Sequence, residues 1–387
     1  MNKISVYHFH NGGGGGVLSV IRNLLKFSNN PAIENHVIYT INKEDKPLYS
    51  INNLEGAFSE QVFYYSPKWN FYYTCKQLAK LLPDDRVVIV AHDWMELGMM
   101  SQLGLQNPVV YFLHGDYDYY YQLAQKHESA IDQFICVAQN IETRLLALLP
   151  ARKANIAYLR FPVPEVINKQ VLKSDCDIIY IGRLTEGKGY PLLPVIAKEL
   201  SKKNIHVCWN IVGIANNSKD EVVWDKNIDV HFYGNISNEE VLTLLPEMKI
   251  LLLPTIAEGM PVVVIEAMKA GVVPLVNNID GGIQELVEDG ETGYKIKDNT
   301  IAAYVEKIIL LMDNKNLAVR IRLNCIEKAN AMFEPFGNTK NIEAFFQESF
   351  LCAEKEKVAR KVYGSRLDEK WIPNVLTKTI RNFTKAK

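Results

Sequence analysis

The chain has 387 residues, 48% of them hydrophobic and 22% charged, with 43 Lys and Arg against 44 Asp and Glu. At roughly 100–200 residues per domain that length suggests two or three domains, and a net charge of −1 gives no chain-wide basic field, so nucleic acid is not an expected partner. No apolar run approaches the roughly 20 residues of a membrane span. The start, MNKISVYHFH, lacks the pattern of a signal peptide. The six cysteines form no C-x2-C pair, which argues against zinc and against a disulfide framework. The expectation is a soluble, cytoplasmic protein.

Short β-branched runs alternate with helix-period segments from the beginning. ISVYHF (4–9), HVIYTI (36–41), VVIVAH (87–92), VVYFLH (109–114) and QFICVA (133–138) read as strands, with helices at 17–27, 71–82 and 141–149 among them. Strands without polar alternation are buried on both faces, and the interleaved helices imply right-handed crossovers. This pattern predicts a doubly wound α/β domain over 1–164. The segment 158–175 then breaks the rhythm with Pro162 and Pro164, which marks a linker. A second alternation runs through CDIIYIGRL (176–184), HVCWNIVG (206–213), DVHFYG (229–234), KILLLP (249–254) and GVVPLV (271–276). It predicts a second α/β domain over 172–360. After Phe333 the reading is wholly helical, and 361–387 is a basic helix expected to cross back to the first domain. Ile372, Leu376, Ile380 and Phe383 recur at helical spacing there, with Lys378, Arg381 and Lys385 largely off that face. The stripe reads as a docking surface. The alternative is contact of 370–387, which carries five basic and no acidic residues, with an anionic membrane at its inner face.

Five glycines at 12–16 separate the first strand from the first helix, a turn whose backbone can approach an anion. The spacing fails G-x-G-x-x-G, no acid ends the second strand, and no Gly-Lys-Ser/Thr follows. A dehydrogenase and an ATPase are therefore disfavoured. The second domain carries the stronger pattern. Gly182-Arg183-Leu184-Thr185-Glu186-Gly187-Lys188-Gly189 follows a strand, so Arg183 and Lys188 can converge on one diphosphate. Downstream, a loop delivers Glu258, and a helix is expected to start at Pro261, which suits the first helical position. Glu266 follows within that helix, while the N–H groups near Met260 and Val262 favour an anion. Carboxylates, as acceptors, suit ribose and hexose hydroxyls.

These motifs together resemble the retaining glycosyltransferases of family four, which have the GT-B architecture of two Rossmann-like domains facing across a cleft. The resemblance rests on the glycine turn, H-G at 114–115, G-R-L-x-x-x-K-G at 182–189, E-x7-E from Glu258 to Glu266, and D-G-G-x-x-E at 280–285. It implies that the second domain binds a nucleotide diphosphate sugar, UDP- or GDP-linked, as co-substrate with no further cofactor and no metal. The first domain would bind a saccharide or lipid-linked acceptor in cell-envelope glycan synthesis. Arg183 and Lys188 match the diphosphate ligands, Glu266 the ribose-binding acid, and Glu258 the acid contacting the transferred sugar. His114 matches the histidine that reaches the sugar, and Gly15 and Gly16 the glycine pair that meets phosphate or acceptor. Two positions depart from the family: Pro261 replaces its second glycine in E-G-F-G, and Gly213-Ile214-Ala215 replaces its G-x-G.

A D-x-D at Asp116 and Asp118 has the spacing of a metal motif, but it lies in the wrong domain for a donor metal, and loop acids capping the next helix are the preferred reading. Tyr117, Tyr119, Tyr120 and Tyr121 read either as an acceptor platform or as packing. His92 and Asp93 end another strand of the same domain. A glycosidase would leave the two cations without a task. An epimerase of the same fold, or a nucleotide-sugar-binding subunit without turnover, remains the alternative.

Overall fold

The computed structural model describes residues 3–13, 15–44, 53–166, 177–215, 222–297, 300–352 and 356–384. Gly14 of the glycine turn, the linker positions 167–175, Cys176 and Lys385 lie outside them. The chain divides into two units, Met1–Pro162 with Phe336–Lys387, and Val163–Pro335.

The first unit holds a seven-stranded sheet: β1 (Ile4–His10), β2 (Ile33–Asn42), β3 (Ser59–Tyr65), β4 (Val88–Ala91), β5 (Val109–Leu113), β6 (Gln133–Cys136) and β7 (Ile156–Tyr158). The order is β3-β2-β1-β4-β5-β6-β7, and every pairing is parallel. β4, β5 and β6 are buried at every position, as parallel strands covered on both faces require. His8 lies opposite Val37 on one side and Val90 on the other. The strand order reverses between β1 and β4, and such a switch point opens a crevice at the carboxyl ends of the strands.

The second unit repeats the plan with β8 (Asp177–Ile181), β9 (Cys208–Val212), β10 (Val230–Gly234), β11 (Ile250–Leu253), β12 (Val273–Asn277) and β13 (Tyr294–Ile296). Its order is β10-β9-β8-β11-β12-β13, again parallel throughout, with the reversal between β8 and β11. Lys269 is buried at the end of the helix Val262–Lys269. Its ammonium donates to the carbonyls of Val163 at 2.7 Å and Phe333 at 2.8 Å, near the two points where the chain enters and leaves this unit.

The expected boundaries shift. The chain returns to the first unit at Phe336, not at 361. The helix Pro335–Cys352 buries Phe346 edge-on to His8 and Phe112, so most of it belongs with the first sheet. An unbroken helical pattern in the sequence hides that change of partner. The expectation of helix throughout the C-terminal region also fails: 356–373 is irregular apart from one turn at Arg366–Asp368. Its backbone is used by side chains instead, with Lys357 N–H donating to Gln106 at 3.1 Å, while the Lys357 ammonium reaches Asp132 at 2.5 Å.

The tail forms the helix Asn374–Thr384, but the expected apolar stripe is not its docking face. Ile372, just before the helix, is buried, whereas Leu376 is 49% and Phe383 75% exposed. The inward side carries Thr377, donating to the Leu367 carbonyl at 2.7 Å, and Arg381, donating to the carbonyls of Pro67 at 3.1 Å and Trp69 at 2.6 Å. The surface beneath offers backbone carbonyls and the Asp368 carboxylate, which require donors rather than hydrocarbon.

Candidate functional site

In the second unit the loops after β8 and β11 leave the sheet side by side at its switch point. The first loop closes with Gly189 at φ 71°, where a Cβ would sit 2.0 Å from the Pro254 carbonyl oxygen. That contact fixes the loop against the end of β11, and Ile256 N–H adds a bond to the Gly187 carbonyl at 3.2 Å. The result brings Lys188 Nζ to 2.5 Å from Glu258 Oε1, both side chains largely shielded. Arg183 is exposed, and among the described residues its guanidinium has no hydrogen-bond or ion-pair partner.

Glu258 is followed by Gly259, Met260 and Pro261, and the helix begins at Val262, with Pro261 as its N-cap rather than its first residue. The Pro261 carbonyl accepts from Val264 at 3.1 Å and Ile265 at 3.3 Å, so the Val262 and Val263 N–H groups lack intrahelical acceptors. Glu266 is 3% exposed, and its Oε1 accepts from Asn238 Nδ2 at 2.8 Å. Asn238 is a partner that sequence reasoning missed. The pattern Ser237-x-x-Glu240, a capping box in the structure, was the available signal for a helix start there. The D-G-G motif acts through close approach. A Cβ on Gly281 would meet the Glu258 carbonyl oxygen at 2.5 Å, and Gly282 N–H donates to the Gly259 carbonyl at 2.6 Å. The altered G-x-G also has a defined route: Leu184 N–H bonds the Ile214 carbonyl at 3.1 Å, and a Cβ on Gly213 would meet the Gly182 carbonyl oxygen at 1.9 Å.

In the first unit Gly15 caps the helix Gly16–Lys26 at φ 122°, a conformation that favours glycine, and nothing lies within 4 Å of where its Cβ would be. The preceding turn is anchored by Gly12 N–H to His10 Nδ1 at 3.1 Å and by Asn11 Nδ2 to Asp93 Oδ2 at 3.3 Å. His114 leaves β5 half-buried, its ring stacked on Phe112 and its Nε2 2.7 Å from His92 Nδ1. Asp116 and Asp118 are both paired with Arg144. Tyr121 is buried and donates to Asp116 at 2.6 Å, while Tyr117 and Tyr119 are exposed, so the tyrosine run divides between packing and surface.

Burial keeps the histidines of this unit neutral. Desolvation lowers His8, His10 and His127 to about 4 and His114 to about 3, and it drives His92 well down with help from His114, His8 and His10. The unfolded chain protonates these groups near pH 6.5. Between about pH 6.5 and 4 the unfolded state therefore binds more protons, and stability falls as the pH falls. Each of His8, His10 and His127, lowered from 6.5 to about 4, contributes about 3 kcal/mol to the loss. The first unit is expected to melt at progressively lower temperature across that window. A melting temperature flat from pH 6.5 to 4.5 would contradict the neutral assignment.

The two all-parallel α/β units have the fold of GT-B glycosyltransferases. HepE from Anabaena, solved in complex with UDP-glucose, aligns with a TM-score of 0.73 at 16% identity, covering 89% of this chain and 100% of that one. Residues 164–331 match the family described as glycosyl transferases group 1. Over 363 residues the chain is 23% identical to an uncharacterized glycosyltransferase of Haemophilus influenzae, covering 89% of this chain and 98% of the relative. It is 27% identical over 149 residues to the putative colanic acid biosynthesis glycosyltransferase WcaL of Escherichia coli, covering 34% and 35%.

Proposed function

We propose that the protein is a retaining, metal-independent glycosyltransferase that moves a sugar from a UDP- or GDP-linked donor to a saccharide or lipid-linked saccharide in cell-envelope glycan synthesis. One observation carries the proposal: two cations and two carboxylates, Arg183, Lys188, Glu258 and Glu266, belong to elements that follow β8 and β11, at the switch point of a single sheet. The cations suit a diphosphate, and the carboxylates suit ribose and sugar hydroxyls. Binding a donor diphosphate would draw Lys188 from Glu258 and free that carboxylate for a hydroxyl. The departing diphosphate takes the acceptor's proton, so no protein nucleophile is needed. Arg183, Lys188 and the N–H groups at Val262 and Val263 stabilise its charge. The first unit contributes acceptor binding through Gly15 and Gly16 and a sugar contact through His114. A relative named for colanic acid synthesis and a neighbour holding UDP-glucose support the donor and acceptor classes.

Nucleotide release should depend on acceptor and survive EDTA. Arg144 already pairs with both Asp116 and Asp118 and offsets one of their two charges, so a divalent ion would have to compete with it. Inhibition by EDTA with rescue by a divalent ion would promote the motif to a metal site. Donor isomerisation without acceptor would favour an epimerase, and binding without release would favour a non-catalytic subunit.

The tail suits peripheral attachment to an anionic membrane at the inner face of the cytoplasmic membrane. Its outward side exposes Val375 by 74%, Leu376 by 49% and Phe383 by 75%, with Trp371 at 73% just ahead of the helix. No acidic residue occurs in 370–387, and each cation near such a surface contributes about 1 kcal/mol. The full chain is expected to sediment with phosphatidylserine-rich vesicles at low salt, and Leu376→Ser with Phe383→Ser to abolish that without changing the melting temperature. Equal sedimentation of wild type and variant, or a dimer lost in the variant, would remove the membrane as the occupant.

A further inference from the structure

We propose that His114 is held in one tautomer by a one-way hydrogen-bond chain that runs through His92, His8, Asn35 and Ser28 to Glu343. All six residues belong to the first unit. The functional meaning of the chain rests on reading His114 as the sugar contact, but its direction is a property of the first unit alone.

The direction starts at Glu343, 3% exposed on the helix Pro335–Cys352. Burial raises the Glu343 pKa and the bond from Ser28 opposes it; as the carboxylate, Glu343 only accepts, so the Ser28 hydroxyl, which contacts its Oε1, donates to it. The Ser28 oxygen then accepts from Asn35 Nδ2 at 3.0 Å. This fixes the amide, whose Oδ1 faces His8 Nε2 at 3.3 Å and accepts from it. A neutral imidazole has one donor and one acceptor, so protonation at His8 Nε2 leaves its Nδ1 bare. That atom lies 3.5 Å from His92 Nε2, the longest link. His92 therefore carries its proton on Nε2, and its bare Nδ1 accepts from His114 Nε2 at 2.7 Å. Among the described residues nothing bonds His114 Nδ1, which ends the chain as an open acceptor. The burial of these rings, which lowers His8 to about 4 and His114 to about 3, keeps each in the neutral form that passes the direction on.

An open neutral acceptor takes a hydrogen bond from a hydroxyl and offers none to a phosphate oxygen. Reversing the chain would need a proton on Glu343 and a flipped Asn35 amide, and it would turn His114 Nδ1 into a donor. Glu343 and Ser28 are thus positioning residues that decide which chemistry His114 presents, although neither touches it.

Two-bond proton–nitrogen correlations on the 15N-histidine-labelled full chain at neutral pH, without ligand, test this directly. His8, His92 and His114 are each expected to show a protonated Nε2 and a bare Nδ1. A protonated Nδ1 on His114, or averaging of its two forms, would overturn the chain. Ser28→Ala removes the link to Glu343 without removing a ring, and is expected to let His114 average between tautomers. If the competent form falls to one half, the donor KM rises about twofold, with kcat less affected. An unchanged single tautomer in Ser28→Ala would also overturn the chain. Correct tautomers in both proteins with an unmoved donor KM would count against His114 as a sugar contact, and so against that reading, while leaving the chain intact.

Discussion

Arg183→Ala and Glu266→Ala are each expected to abolish measurable sugar transfer while leaving the protein folded. Arg183 is exposed, and among the described residues its side chain bonds nothing, so its loss should alter stability by less than about 0.5 kcal/mol. The same loss removes a charged hydrogen bond to the diphosphate, about 1.5–3 kcal/mol in the bound state. The effect on turnover is larger, because charge grows on the diphosphate as the bond to the sugar breaks. Glu266 differs because it is buried against Asn238. Its truncation leaves that amide without its 2.8 Å acceptor and should also lower stability by about 1 kcal/mol. Glu266→Gln separates the two effects, keeping an acceptor for Asn238 while losing the charge offered to ribose. Calorimetry with UDP and GDP, beside a transfer assay, provides the measurement. Wild-type affinity and turnover in Arg183→Ala or Glu266→Ala would end the assignment of the second-unit crevice as the donor site.

Deleting the residues after Lys370 is expected to destabilise the first unit by about 3–5 kcal/mol, the usual result of removing one partner of a buried ion pair. Asp368 is 1% exposed and accepts from Phe71 N–H at 2.7 Å, from Ser365 N–H at 2.7 Å and from Arg381. Burial by itself would raise its pKa, but the Phe71 N–H, Arg381 and the Ser365 N–H outweigh burial and hold it below the usual carboxylate value. Such a group stabilises the fold above its unfolded pKa of about 3.9, and the contribution disappears as the pH falls through the folded value. Truncation removes Arg381, and also Asn374, which accepts from Asn70 N–H at 2.9 Å. Urea unfolding of the truncated chain at pH 7 measures the loss. An unchanged midpoint would show that the helix merely rests on the surface.

The sequence made the central strands legible because burial on both faces leaves continuous apolar runs, as in VVIVAH and VVYFLH. It did not reveal β3, an edge strand whose half-buried side chains have no clear period, nor the three-residue strands β7 and β13. The candidate site residues Arg183, Lys188, Glu258 and Glu266 were legible because they lie in local motifs next to strand ends. The ion pair of Lys188 with Glu258 was not, since it spans two loops 70 residues apart. The histidine chain was hidden for the same reason on a larger scale: β1, β2, the positions just after β4 and β5, the Ser28 turn and the Pro335–Cys352 helix each supply one member. The tail misled because helical periodicity shows that a helix has an apolar side, not which side meets the protein.

The position of Lys269, bonded to carbonyls near both ends of the second unit, makes that unit an insertion whose beginning and end are neighbours. Such a segment can close on itself during synthesis before anything beyond it exists. The first unit cannot, because its segment Phe336–Lys387 is translated after the whole of the second unit. Ser28 and Glu343 are 315 positions apart. At about 5–20 residues per second, roughly 15–60 s pass between Ser28 and the carboxylate that gives the chain direction. The unit born first is therefore finished second, and its histidines acquire their fixed protons only after the other unit has been made.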